Sequence, residues 1–335
     1  MAKLCQFYTT NYTQILQGLT IPNNIKTVVE PFAGTGELVE FINKQGKYEI
    51  ECYDLDPKLN NITKQDTLKF PPKYKDKYVI TNPPYLARNK SDSKTMFDLY
   101  KVNDLYKCFI KTITNNPCLG GIIIIPLNFW SSIRKNDIEL RELFLSHYDV
   151  LKLNIFEEQV FDDTAYSVCS FQFELRNGTE ITETSIIIYP SKTSITAKFD
   201  ELNNYMIGGE LYNLDVSDKY KITRLTSKNK EKANTKLLVK CIDSSDKINM
   251  SISDLYVDET ENQPARTYAT LIIEPEISIE VQEKVAIKFN KILTRYRKKY
   301  NSLFLTNYRE NGRKRISFDL IYSITGYILD HMRIS

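Results

Sequence analysis

The sequence lacks the residue patterns that build covalent or metal-bound frameworks. Its six cysteines are scattered without any paired spacing, although paired spacing is what a zinc site or a disulfide framework requires. Both are therefore excluded as the basis of the fold, no metal is expected, and a reducing compartment is favoured. We accordingly expect a cytoplasmic protein.

Long apolar segments and a strong charge excess are also absent. No uncharged apolar stretch is long enough to span a membrane and no signal-peptide pattern opens the chain, so no membrane association is expected. The net charge of +3, from 45 basic and 42 acidic residues, does not by itself indicate a polyanion partner. What remains is 335 residues with 42% apolar content, enough for a substantial core and two domains.

The most informative segment is an apolar run that stops at two prolines. Tyr78-Val79-Ile80 leads into Thr81-Asn82-Pro83-Pro84-Tyr85, which predicts a buried strand followed by a rigid, extended loop. The amide oxygen of Asn82 and the carbonyl of Pro83 offer two acceptors, and Tyr85 offers a ring. Together they suit a planar group that carries an NH2. An isolated tetrapeptide of this kind is equally consistent with a simple turn.

A glycine-containing turn lies upstream of this segment. Thr27-Val28-Val29 is typical of a buried strand, Glu30-Pro31-Phe32-Ala33-Gly34-Thr35-Gly36 follows it, and helical spacing of apolar residues comes next. Strand, glycine turn and helix open a nucleotide-binding βαβ unit. The turn is shorter than the dinucleotide fingerprint and is preceded by an acidic residue.

The two motifs in this order resemble the S-adenosylmethionine-dependent amino-methyltransferases that act on adenine in DNA, in the gamma arrangement of that family. The resemblance covers roughly residues 7–176 and is specific at the two motifs. It implies transfer of a methyl group to the N6 amine of a flipped-out adenine in double-stranded DNA, leaving S-adenosylhomocysteine. The implied catalytic residues are Asn82, Pro83, Pro84, Tyr85 and Phe161.

The acidic residue of the glycine turn favours this cofactor. Glu30 suits the ammonium of S-adenosylmethionine and would repel a pyrophosphate. Asp54 ends the second predicted strand, where it is placed to accept from ribose hydroxyls. By resemblance, Asp66 lies beside the cofactor adenine and accepts from its exocyclic amine, and a helix or turn cap is the less favoured alternative. The complete set of predicted cofactor-binding residues is Thr10, Glu30, Phe32, Ala33, Gly34, Gly36, Asp54, Leu55, Asp66, Thr67 and Asn82.

Strands that alternate with helices predict an α/β fold with a doubly wound, seven-stranded methyltransferase sheet. A long helix is expected over 96–116. The sixth and seventh strands are joined by a segment too short for a helical crossover, so they should form an antiparallel hairpin at one edge. Phe161 lies in that connection, where the resemblance implies a base-stacking aromatic and the local pattern permits a hairpin core residue.

After residue 178 the apolar runs shorten and the charge density rises. We expect a catalytic domain over 1–178 and a smaller α+β target-recognition domain over 179–335. Basic clusters with interleaved tyrosines suggest a polyanion surface there, although a basic helix face is commonly just solvated. The predicted nucleic-acid contacts are Arg88, Lys90, Lys94, Arg295, Arg297, Lys298, Lys299, Arg313, Lys314 and Arg315.

Other functions remain open at this stage. An RNA base methyltransferase would fit the same pocket, and a protein glutamine methyltransferase also uses Asn-Pro-Pro-Tyr, but with a helical domain ahead of the glycine turn. A catalytically silent DNA-binding module has no reason to keep both motifs. For the favoured function we expect a monomer or weak dimer, with a cognate restriction endonuclease as a candidate partner.

Overall fold

The chain divides into two compact units, and the main division falls between Glu201 and Leu202. The computed structural model describes residues 11–161, 166–181, 183–243, 247–254, 256–257, 267–309 and 313–332. Among these residues, none of the helices has the length and apolar character that a membrane crossing demands.

The first unit is built on one large mixed sheet. Its strands are β1 (Thr27–Glu30), β2 (Glu49–Asp54), β3 (Thr63–Lys64), β4 (Tyr78–Thr81), β5 (Gly120–Pro126), β6 (Tyr148–Phe156), β7 (Val168–Leu175), β8 (Thr184–Tyr189) and β9 (Thr193–Ala197). Their order is β3-β2-β1-β4-β5-β7-β6-β8-β9. The strands from β3 to β5 run parallel, and β7 lies antiparallel between β5 and β6.

The predicted α/β sheet is therefore present, with two differences. It has nine strands rather than seven, because β8 pairs with β6 and β9 pairs with β8. For the same reason the antiparallel β6–β7 pair, although present as predicted, is not at an edge.

Short helices connect the strands of the first unit. They are α1 (Tyr12–Ile15), α2 (Glu37–Gln45), α3 (Thr95–Tyr100), α4 (Leu105–Asn115) and α5 (Lys135–His147). The single helix predicted over 96–116 is two helices, because Lys101 adopts a left-handed conformation (φ 54°) that ends α3.

The core of this unit lies along the central strand β5, whose four isoleucines over 122–125 are at most 1% exposed. A strand with parallel and antiparallel neighbours and both faces covered is expected to be apolar throughout. Beyond its end, Trp130 stacks on Phe199 at 4.5 Å and meets Phe171 edge-on at 5.4 Å. The chain after β9 therefore closes the same core.

The second unit combines an antiparallel sheet with two helices. It contains β10 (Lys221–Arg224), β11 (Leu237–Lys240), β12 (Asn249–Ile252), β13 (Tyr268–Glu274), α6 (Ile279–Tyr300), the first half of β14 (Thr306–Arg309), β15 (Arg313–Arg315) and α7 (Phe318–Asp330). The first four strands are ordered β10-β13-β11-β12, and β14 and β15 form a separate pair. Val285, Phe289 and Leu293 form the buried face of α6. This composition is α+β, as predicted.

The boundary predicted at residue 178 lies too early. Ile186 and Ile188 of β8 are fully buried, and Phe199 packs on Trp130. The prediction placed the boundary here because the polar segment after Leu175 has the composition of an interdomain linker. In the structure this segment connects β7 to β8 of the same sheet.

This difference is testable by truncation. We expect a chain that ends at Glu201 to be folded and monodisperse, and one that ends at Gly178 to aggregate, because the latter exposes the edge of β6. Circular dichroism and size-exclusion chromatography would compare the two. If both truncated chains were folded and monodisperse, β8 and β9 would be dispensable for the fold of the first unit.

Candidate active site

The predicted motif residues converge at the carboxyl ends of the parallel strands β1, β2 and β4. This edge of an open α/β sheet is where ligands bind. Thr81, the last residue of β4, donates from its Oγ1 to Glu30 Oε1 at the end of β1, at 2.7 Å. This bond joins the glycine turn to the Asn-Pro-Pro-Tyr loop.

The glycine turn depends on backbone conformations that favour glycine. Gly34 has φ 52° and Gly36 has φ 89°, and Gly36 is the N-cap of α2. A Cβ at Gly36 would also lie 3.1 Å from the side chain of Leu59. The backbone can therefore turn sharply from β1 into α2 at the end of the sheet.

Asp54 fastens this turn to the end of β2. Its Oδ2 accepts from the Gly34 N–H at 2.9 Å and its Oδ1 accepts from the Asp56 N–H at 2.8 Å. Thr67, which is buried, donates to the Pro31 carbonyl at 2.9 Å. Leu55 is 45% exposed beside Asp54 in the chain. The structure thus brings Gly34, Asp54 and Thr67 to one site, while their contacts with a cofactor stay predictions.

Glu30 is fully buried, and one of its oxygens is unused. Oε1 accepts from Thr81 and from the Phe32 N–H (3.2 Å), whereas Oε2 has no hydrogen-bond partner among the described residues. Burial away from water raises the pKa of this carboxyl to about 8, against the smaller lowering effect of the two hydrogen bonds. A buried acceptor without a partner fits a missing cationic group, as an ammonium would be.

The remaining predicted cofactor residues are less defined. Asp66 Oδ1 accepts from the Lys69 N–H at 3.1 Å, so its alternative role as a turn cap is realised. Phe32 meets Phe109 edge-on at 5.3 Å, and the Ala33 N–H donates to the Tyr53 carbonyl at 2.8 Å. Thr10 lies outside the described residues. The described part of the chain contains no cluster of three or more metal-ligating side chains.

The Asn-Pro-Pro-Tyr loop is held by the hydroxyl of its own tyrosine. Tyr85 is only 5% exposed, and its Oη lies 2.6 Å from Asn82 Oδ1 and 2.9 Å from the Ile124 carbonyl oxygen. Burial raises the pKa of the Tyr85 phenol, which therefore stays protonated. Asn82 and Pro84 are half-buried, and Pro83 is buried.

The chain after the loop is also fixed. The Leu86 N–H donates to Asp104 Oδ1 at 3.1 Å, and the Arg88 N–H donates to the Asn103 carbonyl at 2.9 Å. Asp104 is half-buried by accessible surface, and its desolvation raises the pKa to about 6. The loop is thus anchored on its carboxyl-terminal side to the start of α4.

A cleft of about 400 Å³ opens beside Tyr85. Its wall includes three side chains to which the sequence assigned no role: Asn128, Arg134 and Tyr166. Asn128 lies two residues after the end of β5, at the same end of the sheet as Asn82, which is a signal the sequence did contain. Phe161 is buried, and Tyr166 from the same β6–β7 connection lines the cleft. The stacking role of Phe161 stays a prediction.

A buried polar cluster joins α4 and α5 to the segment between β5 and α5 that lines the cleft. Lys107 Nζ donates to Asp137 Oδ1 at 2.5 Å and to Asn103 Oδ1 at 2.8 Å, and Ser132 Oγ donates to Asp137 Oδ2 at 2.6 Å. The fully buried Arg141 donates to the carbonyls of Phe129 and Ser132, both at 2.8 Å. These bonds fix the segment between β5 and α5 that presents Asn128 and Arg134.

The predicted basic contacts near the loop differ in their surroundings. Arg88 pairs with Asp98 at 2.8 Å, and Lys94 donates to the carbonyls of Arg88 and Ser91. Both therefore help to shape the loop itself. Lys90 is exposed and lines the cleft.

In the second unit, Arg297 and Lys299 are engaged in ion pairs. Arg297 is largely buried and pairs with Asp243 at 3.2 Å, which gives it a structural role that the sequence did not predict. Lys299 pairs with Glu210 at 3.1 Å. Arg295 and Lys298 are exposed, Lys314 and Arg315 are half-buried, and the Arg313 side chain lies outside the described part.

The buried carboxyl of Glu30 predicts a pH-dependent stability. Its native pKa of about 8 exceeds the ordinary value of 4.5. Below pH 4.5 the carboxyl is protonated in both the folded and the unfolded state and does not destabilise the fold. Between pH 4.5 and 8 it ionises in the unfolded state first, so the fold loses stability as the pH rises, and the full loss is reached above pH 8. Relative to Glu30→Gln, we expect the wild type to lose roughly 4 to 5 kcal/mol of unfolding free energy across this range. Chemical denaturation at several pH values would measure the difference.

The exposed Glu49 provides the matched control. Glu49→Gln should follow the wild type across the whole pH range. A constant difference between the wild type and Glu30→Gln would contradict the assignment of the titration to Glu30.

Comparison with known proteins gives two curated relatives, while no family model matches the chain. The type II methyltransferases M.HincII of Haemophilus influenzae and M.HindII of Haemophilus influenzae Rd are each 26% identical over 212 residues. The matches cover 58% of this chain and 41% and 40% of the relatives, so the chain spans about two fifths of their length.

Among solved structures, a modification subunit of a putative type I restriction enzyme from Vibrio vulnificus YJ016 aligns with a TM-score of 0.47 at 12% identity. That alignment covers 65% of this chain and 58% of that one. The similarity to type II methyltransferases confirms the resemblance to S-adenosylmethionine-dependent DNA methyltransferases that the two motifs predict.

Proposed function

We propose that this protein transfers a methyl group from S-adenosylmethionine to the exocyclic N6 amine of an adenine in double-stranded DNA. The observation that carries the proposal is the hydrogen bond between Thr81 and Glu30, which joins the glycine turn to the Asn-Pro-Pro-Tyr loop at one end of the sheet. A cofactor beside the turn would therefore present its methyl group near the acceptors of the loop.

The chain's own residues suit the cofactor. Glu30 would hold the ammonium through its unused Oε2, and Asp54 would accept from the ribose while it fixes Gly34. When bound, the sulfonium supplies an activated methyl group that needs no metal. Because an ammonium favours the ionised form of Glu30, cofactor binding would release a proton over the range up to about pH 8.

The acceptors of the loop address the weak nucleophilicity of the adenine amine. Its lone pair is delocalised into the ring, so it must be directed at the methyl carbon. Asn82 and the Pro83 carbonyl would each accept one amino hydrogen, which draws the nitrogen towards tetrahedral geometry. Positioning of this kind is worth roughly 7–11 kcal/mol in favourable cases. The methylated nitrogen would carry a positive charge until one of its hydrogens leaves as a proton. Because the ring withdraws electron density, this nitrogen is acidic enough to lose the proton to water, so no side-chain general base is required, and Asn82 and the Pro83 carbonyl stay neutral.

The cleft beside Tyr85 would receive the extruded base. Extrusion costs about a few kcal/mol, and stacking on aromatic side chains recovers on the order of 1–3 kcal/mol per base. Tyr85 and Tyr166 line the cleft, and Phe161 lies in the connection that carries Tyr166. Asn128 places an amide in the same wall, where it could pair with a base edge.

DNA contacts would come from both units. Arg134 and Lys90 are exposed at the cleft and have no ion-pair partner among the described residues, so they would meet phosphates that flank the base. In the second unit, Arg295 and Lys298 are exposed on α6. We retain a role in target recognition for this unit, with a cognate endonuclease as a candidate partner and a monomer or weak dimer as the expected state.

The direct test is methyl transfer from labelled S-adenosylmethionine to duplex DNA, with the modified base identified by mass spectrometry. We expect N6-methyladenine, and a loss of about 100-fold or more for Asn82→Ala, because it removes one of the two acceptors. Asn43→Ala, at an exposed position of α2, is the matched control and should retain activity.

The other outcomes separate the competing functions. Label in RNA or in a protein glutamine would retain the fold and cofactor but replace the substrate. Transfer to none of the three would favour a binding module. Full activity of Asn82→Ala would refute the mechanism.

Arg134 provides a separate test of the cleft. We expect Arg134→Gln to weaken DNA binding to a similar degree for all sequences and to reduce the slope of log K against log salt by about 1, because one phosphate contact is lost. Fluorescence anisotropy with labelled duplexes over a salt series measures both.

Lys135→Gln is the control for Arg134→Gln, because Lys135 is adjacent, 88% exposed and already placed opposite Glu139 at 3.8 Å. It removes the same charge without altering the cleft. If both substitutions weakened DNA binding equally, the loss would come from the reduced positive charge of the surface rather than from a phosphate contact in the cleft.

A further inference from the structure

The hydroxyl of Tyr85 has one hydrogen and lies beside two acceptors of the described residues. It lies 2.6 Å from Asn82 Oδ1 and 2.9 Å from the main-chain oxygen of Ile124. Ile124 belongs to the central strand β5, so its carbonyl has a fixed position relative to β4 and the loop. The hydroxyl therefore connects the side chain of Asn82 to the central strand of the sheet.

We propose that Tyr85 is a positioning residue whose hydroxyl fixes the orientation of the Asn82 carboxamide. This inference rests on the proposed function and assigns to Tyr85 a role beyond stacking on the base. A hydroxyl that donates to Oδ1 selects the amide rotamer in which the oxygen, rather than the NH2, occupies that point. An inverted amide would present a donor to the amine of the substrate and would repel it.

The two acceptors also allow the hydroxyl to yield to a substrate. An amide oxygen can accept two hydrogen bonds, so the target amine and the hydroxyl can share Oδ1. If the target amine takes the position at Asn82 Oδ1 that the Tyr85 hydroxyl occupies, the hydroxyl hydrogen can rotate to the Ile124 carbonyl oxygen instead. No buried donor is then left unsatisfied, which would otherwise be costly.

The surroundings of the ring keep the hydroxyl in place. Tyr85 meets the buried ring of Tyr106 edge-on at 6.1 Å. Leu86, the next residue in the chain, is fixed by the hydrogen bond from its N–H to Asp104. The ring and the main chain that follows it are thus both fixed, so the position of the hydroxyl is set by the fold rather than by the substrate.

Removal of this hydroxyl tests the inference. Tyr85→Phe keeps the ring and deletes only the oxygen. We expect the single-turnover rate of methyl transfer to fall about 10- to 100-fold, with little change in the dissociation constants for cofactor and DNA. Tyr74→Phe is the matched control, because it deletes a buried hydroxyl of the same unit that has no hydrogen-bond partner among the described residues, and it should not change the rate.

The Asn82→Asp background distinguishes amide orientation from a merely structural role of the Tyr85 hydroxyl. Both ends of a carboxylate are acceptors, so its orientation does not need to be selected. Tyr85→Phe should therefore cost several-fold less in the Asn82→Asp background than in the wild type. Thermal denaturation would verify that each variant is folded.

Each result decides the question. A wild type that transfers no methyl to DNA would remove the proposed function and this inference with it. An active wild type with an equally active Tyr85→Phe would overturn the inference alone. Equal losses from Tyr85→Phe in the wild-type and Asn82→Asp backgrounds would also overturn it, because the hydroxyl would then act by a route other than amide orientation.

Discussion

A buried carboxyl group at the end of β1 is the constraint on which the site depends. Glu30 joins the first and fourth strands through Thr81, and this bond sets the distance between the glycine turn and the Asn-Pro-Pro-Tyr loop. Burying a carboxyl with one unused oxygen costs stability unless a ligand supplies the partner. The first unit therefore carries a local cost that a cation can relieve, which couples occupancy of the site to stability.

A second, half-buried carboxyl anchors the carboxyl-terminal side of the loop. Asp104 receives the Leu86 N–H, so the loop is fastened at Thr81 and again at Leu86. Between these points, the hydroxyl of Tyr85 ties Asn82 to β5. Three contacts from three different elements thus define the conformation of a segment that contains two prolines and has few main-chain donors of its own.

The sequence predicted the parts that depend on local chemistry. The strand that ends at Thr81 and the glycine turn after β1 were recognised because prolines and glycines impose conformations that few other residues can adopt. It failed where a contact depends on the assembled sheet. The pairing of β8 with β6 and the contribution of Arg134 to the cleft produce no periodic pattern in the sequence. Arg297 likewise carries the same charge whether it faces solvent or pairs with Asp243, so the sequence does not distinguish the two.

The two carboxyls also determine where pH would act on the proposed reaction. The acceptors at Asn82 and Pro83 do not titrate, so the transfer step itself has no pH-sensitive group among them. Glu30, with a pKa of about 8, must be ionised to hold an ammonium. Desolvation raises the pKa of Asp104 to about 6, although the Leu86 N–H favours its ionised form, so the ionisation of Asp104 costs stability as the pH rises towards 6. A rise in pH would therefore first weaken the stabilisation of the loop at Asp104 and then strengthen cofactor binding. The pH dependence would appear in the affinity for the cofactor more than in the rate of transfer from the bound complex.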